Sequence, residues 1–466
     1  AAKAPQRAPK PVTVSRRALS PGVQAGFVGL STEYWDIQKL VGPDPSKPNT
    51  AFEHLFSALA PGGMPSMRIG GDSSDWVWWP LANTKRPPWA HMDLTAQWAA
   101  TVARMATDVK ARLILGLNLE ADSVKVDQAE VKGLRAAIPA AQIQSFELGN
   151  EPDLYPANPF YHDGRKTVKG RAGNYTGNRV TGDWLGIAKG IGKQPLSGPA
   201  WSNSWGLQYL PGLLSAPAHP SLVTIHTYPL YAQRCHNGPP LVEASLFKPE
   251  ALAGLASQVA SYQKVTSRYH VPLRAAEMNA VTCGGQAGLS GTFGPALWAL
   301  NVLPLYARTG VSGVNFAFEP ATAQDLIRSV HRQILVQPEY YGLLAFAKLA
   351  PPGSKIVSLA GVPRGLLGWA DHTPTGYTNV AVTNVSGAAA TYTLAQPSAK
   401  THATVSLLRS ASNGLKATSG VTLAGQSVNP ATGTLAGPRA VTTLGASHGT
   451  YRVTVPANSA AIVTLH

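Results

Sequence analysis

Charged residues are scarce in this chain, 14% of 466, and only 24 of them are acidic. With an apolar content of 44%, that scarcity excludes a disordered polyelectrolyte and fits a protein with a sizeable core. Cysteine is scarcer still, with Cys235 and Cys283 the only two. A cysteine-rich disulfide scaffold cannot be built from two. Whether they form one disulfide or sit as packed free thiols is open on the count alone. No apolar run reaches the roughly eighteen residues of a membrane span. There is no HExxH and no paired His/Cys ligand spacing, so no metal and no cofactor is expected. No GxGxxG or P-loop follows the first predicted strand, which argues against a nucleotide-binding sheet. No nucleic-acid-binding signature or aromatic–basic interleaving occurs, so nucleic acid is not an expected partner.

What the chain has instead is positive charge: 39 Lys and Arg give a formal net charge of +15 and a pI near 9.8. A basic surface favours polyanions such as acidic polysaccharide, although a soluble surface without a dedicated partner has the same composition. The length exceeds what one core usually organises, so one large domain and one smaller one are expected. The start, Ala-Ala-Lys-Ala-Pro-Gln, has no hydrophobic signal core. It reads as a mature terminus left after signal-peptide removal, which gives the expectation of a secreted or periplasmic protein.

Between about residues 21 and 348, short apolar strands alternate with amphipathic stretches. Eight strands are predicted: Gly26–Glu33, Ser66–Gly71, Arg112–Leu119, Ser145–Pro152, Leu196–Trp201, Leu222–Pro229, Leu273–Ala280 and Gly313–Glu319. Helical stretches between them include Asn49–Leu59, Asp93–Lys110, Pro249–Tyr269 and Thr292–Thr309. Eight strand–helix repeats predict an α/β fold, a (β/α)8 barrel of the TIM type. Beyond residue 349 the pattern becomes short alternating strands among Gly, Ser, Asn and Pro turns: Thr378–Thr383, Ala390–Leu394, Ala403–Leu408, Arg439–Leu444, Thr450–Val455 and Ala460–Leu465. That composition predicts an antiparallel β-sandwich over 349–466, joined by an N-terminal segment, 1–20, through the strand Pro11–Ser15.

In such a barrel the reactive groups sit at the C-terminal ends of the strands. Read in order, those ends carry Glu33, Asp72 and Ser73, Glu120, Asn150 and Glu151, Asn203, His226 and Tyr228, Glu277 and Asn279, and Glu319. Buried acids need partners or a task. Two stand out: Glu151 after the fourth strand and Glu277 after the seventh, able to face each other across the barrel mouth. A pair of carboxyl groups roughly 5–5.5 Å apart is the signature of retaining glycoside hydrolysis, one acting as acid/base and the other as nucleophile. Taken singly, Glu151 can also be read as a helix-start acid beside Pro152, and Glu277 as a loop cap. Asn150 is placed to hydrogen-bond the sugar 2-OH. His226 and Tyr228, in the run His226-Thr-Tyr228, are candidate substrate-binding residues; the tyrosine is positioned to hold the nucleophile ionised, or else packs as an aromatic with a satisfied hydroxyl. Trp76, Trp78, Trp79 and Trp89 follow the second strand, either as sugar-stacking platforms or as a loop folded on itself.

The segments GFVGLSTEYWD, MRIGGDSSD, FELGNEPDLY, TIHTYPLY, AEMNAVTCGG and QPEYYGLLAFAKL, in that order, resemble glycoside hydrolase family 79. That family contains β-glucuronidases and heparanases within a large clan of retaining (β/α)8 enzymes. The resemblance runs from about Gly22 to Leu349, and the β-sandwich tail is similar too. Asn-Glu-Pro is shared across the clan and so speaks to mechanism; the ordered set is more specific to the family. The resemblance implies Glu151 as acid/base and Glu277 as nucleophile. It implies Glu33 as a ligand of the sugar hydroxyls, and Asp72 and Ser73 as a polar sugar-contacting turn. Tyr340 is implied to contact the uronic carboxylate, and the Gly284 and Gly285 backbone N–H groups to bind the same carboxylate in a nest. Where several relatives carry a tyrosine just before that Gly-Gly turn, this chain has Thr282-Cys283. A bond between Cys235 and Cys283, in neighbouring loops, would pin the turn beside Tyr228.

The expected partner is therefore a carbohydrate bearing β-linked uronic acid, cleaved by a monomer that removes glucuronic acid from a chain end. Endo-cleavage of an acidic polysaccharide, hydrolysis of neutral β-glucosides, and sugar binding without catalysis are the alternatives. The retention of both glutamates at these strand ends argues against the last.

Overall fold

A computed structural model describes residues 10–235, 238–397, 402–412 and 414–466. The Pro/Lys-rich start at 1–9 lies outside them. The first strand, β1 (Thr13–Ala18), precedes a closed parallel barrel. The barrel strands are β2 (Val28–Glu33), β3 (Ser66–Gly70), β4 (Arg112–Leu117) and β5 (Ile143–Leu148), followed by β6 (Leu196–Trp201), β7 (Leu222–Thr227), β8 (Leu273–Met278) and β9 (Val314–Ala317). β9 pairs with β2 to close the ring. Nearly every barrel-strand residue is buried, because side chains pointing inward fill the barrel while those pointing outward meet the helices.

The larger helices that cover the barrel are α1 (Thr50–Ala58), α2 (Ala96–Asp108), α3 (Val124–Ala137), α4 (Gly177–Gly190), α5 (Pro249–Thr266), α6 (Phe293–Thr309) and α7 (Glu339–Leu349). Their starts follow local chemistry. The Thr95 hydroxyl accepts from the Trp98 N–H at the head of α2, and Pro249 opens α5, where its missing N–H costs nothing. α2 to α5 each bury one stripe. α6 and α7 are buried almost all round, since they lie between the barrel and the C-terminal domain. Asn301 of α6 donates to the Thr383 hydroxyl across that junction at 2.9 Å.

The C-terminal strands are β10 (Lys355–Ala360), β11 (Leu366–His372), β12 (Thr378–Asn384), β13 (Ala390–Ala395), β14 (Ala403–Ser410), β15 (Val421–Leu423), β16 (Thr450–Val455) and β17 (Ser459–Leu465). An antiparallel sheet runs β1–β10–β11–β12–β17–β14–β15, with Thr442–Leu444 alongside β14. Across from it β13 pairs with β16. Tyr392, Leu394, Tyr451, Val453 and Val455 of the small sheet meet Val380, Val382, Ala461, Val463 and Leu465 of the large one in a shared core. The sandwich thus takes in the N-terminal strand. No helix among the described residues is long and apolar enough to cross a membrane.

A polar cleft at the barrel mouth

The C-terminal ends of the barrel strands open into a cleft of about 840 Å³. Its wall includes Glu33, Asp72, Glu151, Tyr228, Glu277, Gly284 and Glu319. Glu151 follows β5 in a left-handed backbone conformation (φ 46°, ψ 51°), which is uncommon for a residue with a side chain and ends the strand abruptly. Its N–H donates to the Ala200 carbonyl at 3.1 Å, fixing it to β6. Glu277 lies within β8 directly beside His226 of β7 in the sheet register. Glu151, His226 and Glu277 each present an atom within 4.8 Å of the other two.

The two carboxylates differ in surroundings. Glu277 Oε1 accepts from the Tyr228 hydroxyl at 2.7 Å, and its Oε2 accepts from Arg68 Nη1 at 2.6 Å. Burial pushes Glu277 up, but His226, Arg68 and Tyr228 outweigh it and hold the carboxyl below its ordinary value. Glu151 is different: burial dominates and raises it, with His226 opposing. Its Oε1 lies 2.8 Å from His226 Nδ1. His226 itself is raised even though burial works against its charged form, because Glu277 and Glu151 favour that form. Both carboxyls remain accessible, with side-chain exposures of 22% for Glu151 and 18% for Glu277. Three donor groups at this spacing can also surround a cation, but both Glu277 oxygens are already taken by Arg68 and Tyr228. That is how a protein holds an anion by itself.

Arg68, in the middle of β3, was not singled out from sequence. It is fully buried and bonded to Glu147, Glu277, the Ser31 hydroxyl and the Asn150 carbonyl oxygen. A charged residue inside an otherwise apolar strand (SMRIG) is the signal that marks it.

The remaining predicted residues divide into cleft wall and support. Glu33 lines the cleft and accepts from the Ser73 N–H at 2.8 Å. Burial and the adjacent Asp72 charge raise it well above its ordinary value. Gly71 makes that position possible: its backbone is left-handed (φ 75°), and a Cβ there would come within 2.1 Å of the Glu33 carboxylate. Asp72 lines the cleft and accepts from the Asn150 amide at 3.1 Å.

Several implied sugar contacts need correction. The Ser73 hydroxyl is fully buried, accepting from the Tyr34 N–H and donating to the Gly70 carbonyl. Asn150 is buried between Arg68 and Asp72, and His226 lies behind the two glutamates. Tyr340 is in the helical layer with its hydroxyl donating to the Leu55 carbonyl at 2.8 Å, so it does not reach the cleft. The Gly285 N–H donates to the Thr282 carbonyl at 3.2 Å; only Gly284 of the pair is on the wall. Cys235 and Cys283 are bonded to each other. The tryptophans after β3 fold the loop on itself. Trp78 is buried and donates to Asp93, Trp76 stacks with Trp35 and His91, and Trp89 stacks on Phe160.

Residues 374–462 match the family described as glycosyl hydrolase family 79 C-terminal beta domain. A search of curated proteins by sequence finds no match. The whole fold resembles that of a 4-O-α-L-rhamnosyl-β-D-glucuronidase from Fusarium oxysporum 12S, at 17% identity and a TM-score of 0.75 over 97% of this chain and 100% of that one. A GH51 arabinofuranosidase from Xanthomonas axonopodis pv. citri follows at 14% identity and TM-score 0.67, over 98% and 100% of the two chains. A GH30 endoxylanase from Clostridium papyrosolvens C71 gives 12% identity and TM-score 0.57, again over 98% and 100%. A segment that matches the C-terminal beta domain of glycosyl hydrolase family 79 thus stands behind a barrel whose mouth gathers its carboxylates, in a fold shared with these glycoside hydrolases.

Proposed function

We propose that the protein is a retaining β-glucuronidase that removes β-linked glucuronic acid from the end of a glycan or glycoside. The observation that carries the mechanism is the Glu151–Glu277 pair, with carboxylate oxygens within 4.8 Å of each other and opposite displacements of their proton affinity. A spacing of that order leaves no room for a water between acid and base and suits direct attack by a carboxylate. Glu277, kept ionised by Arg68 and Tyr228, attacks the anomeric carbon. Glu151, kept protonated by burial, gives its proton to the departing oxygen. Once Glu277 is esterified its negative charge is gone, the proton affinity of Glu151 falls, and Glu151 takes a proton from the water that releases the sugar.

The choice of glucuronic acid is supported by the family and by the Fusarium enzyme, whose described activity is on a rhamnosyl-glucuronic acid unit. The Cys235–Cys283 bond supports a site of action outside the reducing cytoplasm. The test is hydrolysis of p-nitrophenyl β-D-glucuronide followed by proton NMR. The β-anomer of free glucuronic acid should be the first product seen; initial release of the α-anomer would refute retention.

A further inference from the structure

The wall of the cleft is strongly acidic. Glu33, Asp72, Glu151, Glu277 and Glu319 all line it, and no lysine or arginine is among its lining residues. Arg68 lies beneath but is fully engaged by Glu147, Glu277, Ser31 and Asn150. A uronic acid brings one more carboxylate into this field, so its acceptance is favoured by a cation close to the wall and free to bind it.

Arg234 is such a cation. Its side chain is exposed, and it has no ion pair or hydrogen bond among the described residues. The guanidinium lies against Gly284 on the cleft wall, where a Cβ would come within 2.4 Å of Nη2. Its charge acts on Glu319, another wall residue. The Gly284 N–H is also without a partner among the described residues, in contrast to that of Gly285. Arginine's planar fork matches a carboxylate, and a backbone N–H beside it adds a second kind of donor.

The place of Arg234 is fixed by the loops around it. The next residue, Cys235, is bonded to Cys283, which directly precedes Gly284. Leu230 bridges to Val281, and the Thr282 N–H donates to the Leu230 carbonyl at 3.0 Å. Two loops from neighbouring strands, β7 and β8, are thereby tied at two points around the arginine, the disulfide and the Leu230–Val281 bridge.

We propose that Arg234 is the specificity-determining residue that takes the carboxylate of the substrate's uronic acid, with the Gly284 N–H as the companion donor. The proposal rests on the β-glucuronidase reading and names the group that reads the uronate. The experiment compares wild type, Arg234→Gln and Arg234→Lys on p-nitrophenyl β-D-glucuronide and on p-nitrophenyl β-D-glucoside. Loss of one charge-assisted contact should lower kcat/KM for the glucuronide by roughly ten- to a hundredfold in Arg234→Gln, mostly through KM. The glucoside value should stay within about twofold, and Arg234→Lys should recover part of the loss. If wild type hydrolyses the glucuronide and Arg234→Gln keeps the same glucuronide-to-glucoside ratio, the role of Arg234 is overturned while the activity stands. If wild type hydrolyses only the glucoside, the uronate reading fails and this proposal with it.

Discussion

The Tyr228 hydroxyl donates to Glu277 Oε1 at 2.7 Å, while Arg68 holds the other oxygen of the same carboxylate at 2.6 Å. Hydrogen bonds to an ionised carboxylate favour that form, so removing the phenol must raise the proton affinity of Glu277. In Tyr228→Phe the acid limb of the kcat/KM profile should therefore move toward neutral pH. At the optimum, kcat should fall by roughly ten- to a hundredfold, the worth of one charge-assisted hydrogen bond. A pH–rate profile checks both effects. An unmoved acid limb would mean that Tyr228 does not act on Glu277.

In the proposed mechanism the alkaline limb belongs to Glu151. The carboxyl has to carry its proton to assist departure, and burial raises its proton affinity above the ordinary value. Activity should persist above the pH at which an exposed glutamate has lost its proton, then decline as Glu151 ionises. Glu151→Gln should abolish that decline. It should slow substrates with poor leaving groups by several hundredfold or more, within the general range for acid catalysis of roughly 10²–10⁴. A dinitrophenyl glucuronide, which needs no proton, should still undergo the first step and accumulate the glycosyl-enzyme. Equal losses on both substrates would remove Glu151 from the acid role.

Strand-end chemistry made the cleft legible before any coordinates, because a barrel presents those ends together and acids there stand out. Glu33, Asp72, Glu151, Tyr228, Glu277 and Gly284 all reach the wall. Arg68 did not stand out, since its partners come from strands distant in sequence and nothing local announces that they converge. Tyr340 shows the converse failure: a motif matched in register says nothing about which way a helix turns, and its hydroxyl is bonded to α1. The fourth barrel strand ends at Leu148 and not at Pro152 because Gly149 (φ 89°) and Glu151 (φ 46°) leave the extended region. Strands β10 and β11 were missed. Residues Lys355–Ala360 and Leu366–His372 lack strict alternation, and they become strands through pairing with β1 and β12.

The bond between Cys235 and Cys283 spans 48 residues. Closing a loop of that length restricts the unfolded chain by about 4 kcal/mol in the chain-entropy account. The double variant Cys235→Ser/Cys283→Ser should melt several degrees lower than wild type. Because the bond anchors the Gly284 turn against the loop that follows β7, the loss should appear in KM for the glucuronide more than in kcat. A melting temperature that falls with KM unchanged would make the bond a stabiliser with no part in shaping the cleft.

Asp127 and Glu130 on α3 are both fully buried, and neither has an ion-pair partner among the described residues. Burial, reinforced for Glu130 by Asp127 and Asp75, raises both well above the ordinary carboxyl value. An acid raised in the folded state binds more protons there than in the unfolded chain. Stability is then fully present below the unfolded value of about 4, and it declines as pH rises toward the raised folded value. Glu130→Gln keeps the shape, removes the titrating proton and leaves a neutral amide in the same apolar setting. Its melting temperature should exceed that of wild type at pH 8 while the two converge near pH 4, so the difference curve measured by calorimetry should open with increasing pH. A difference that stays flat across that interval would show that Glu130 does not carry its proton into the folded core.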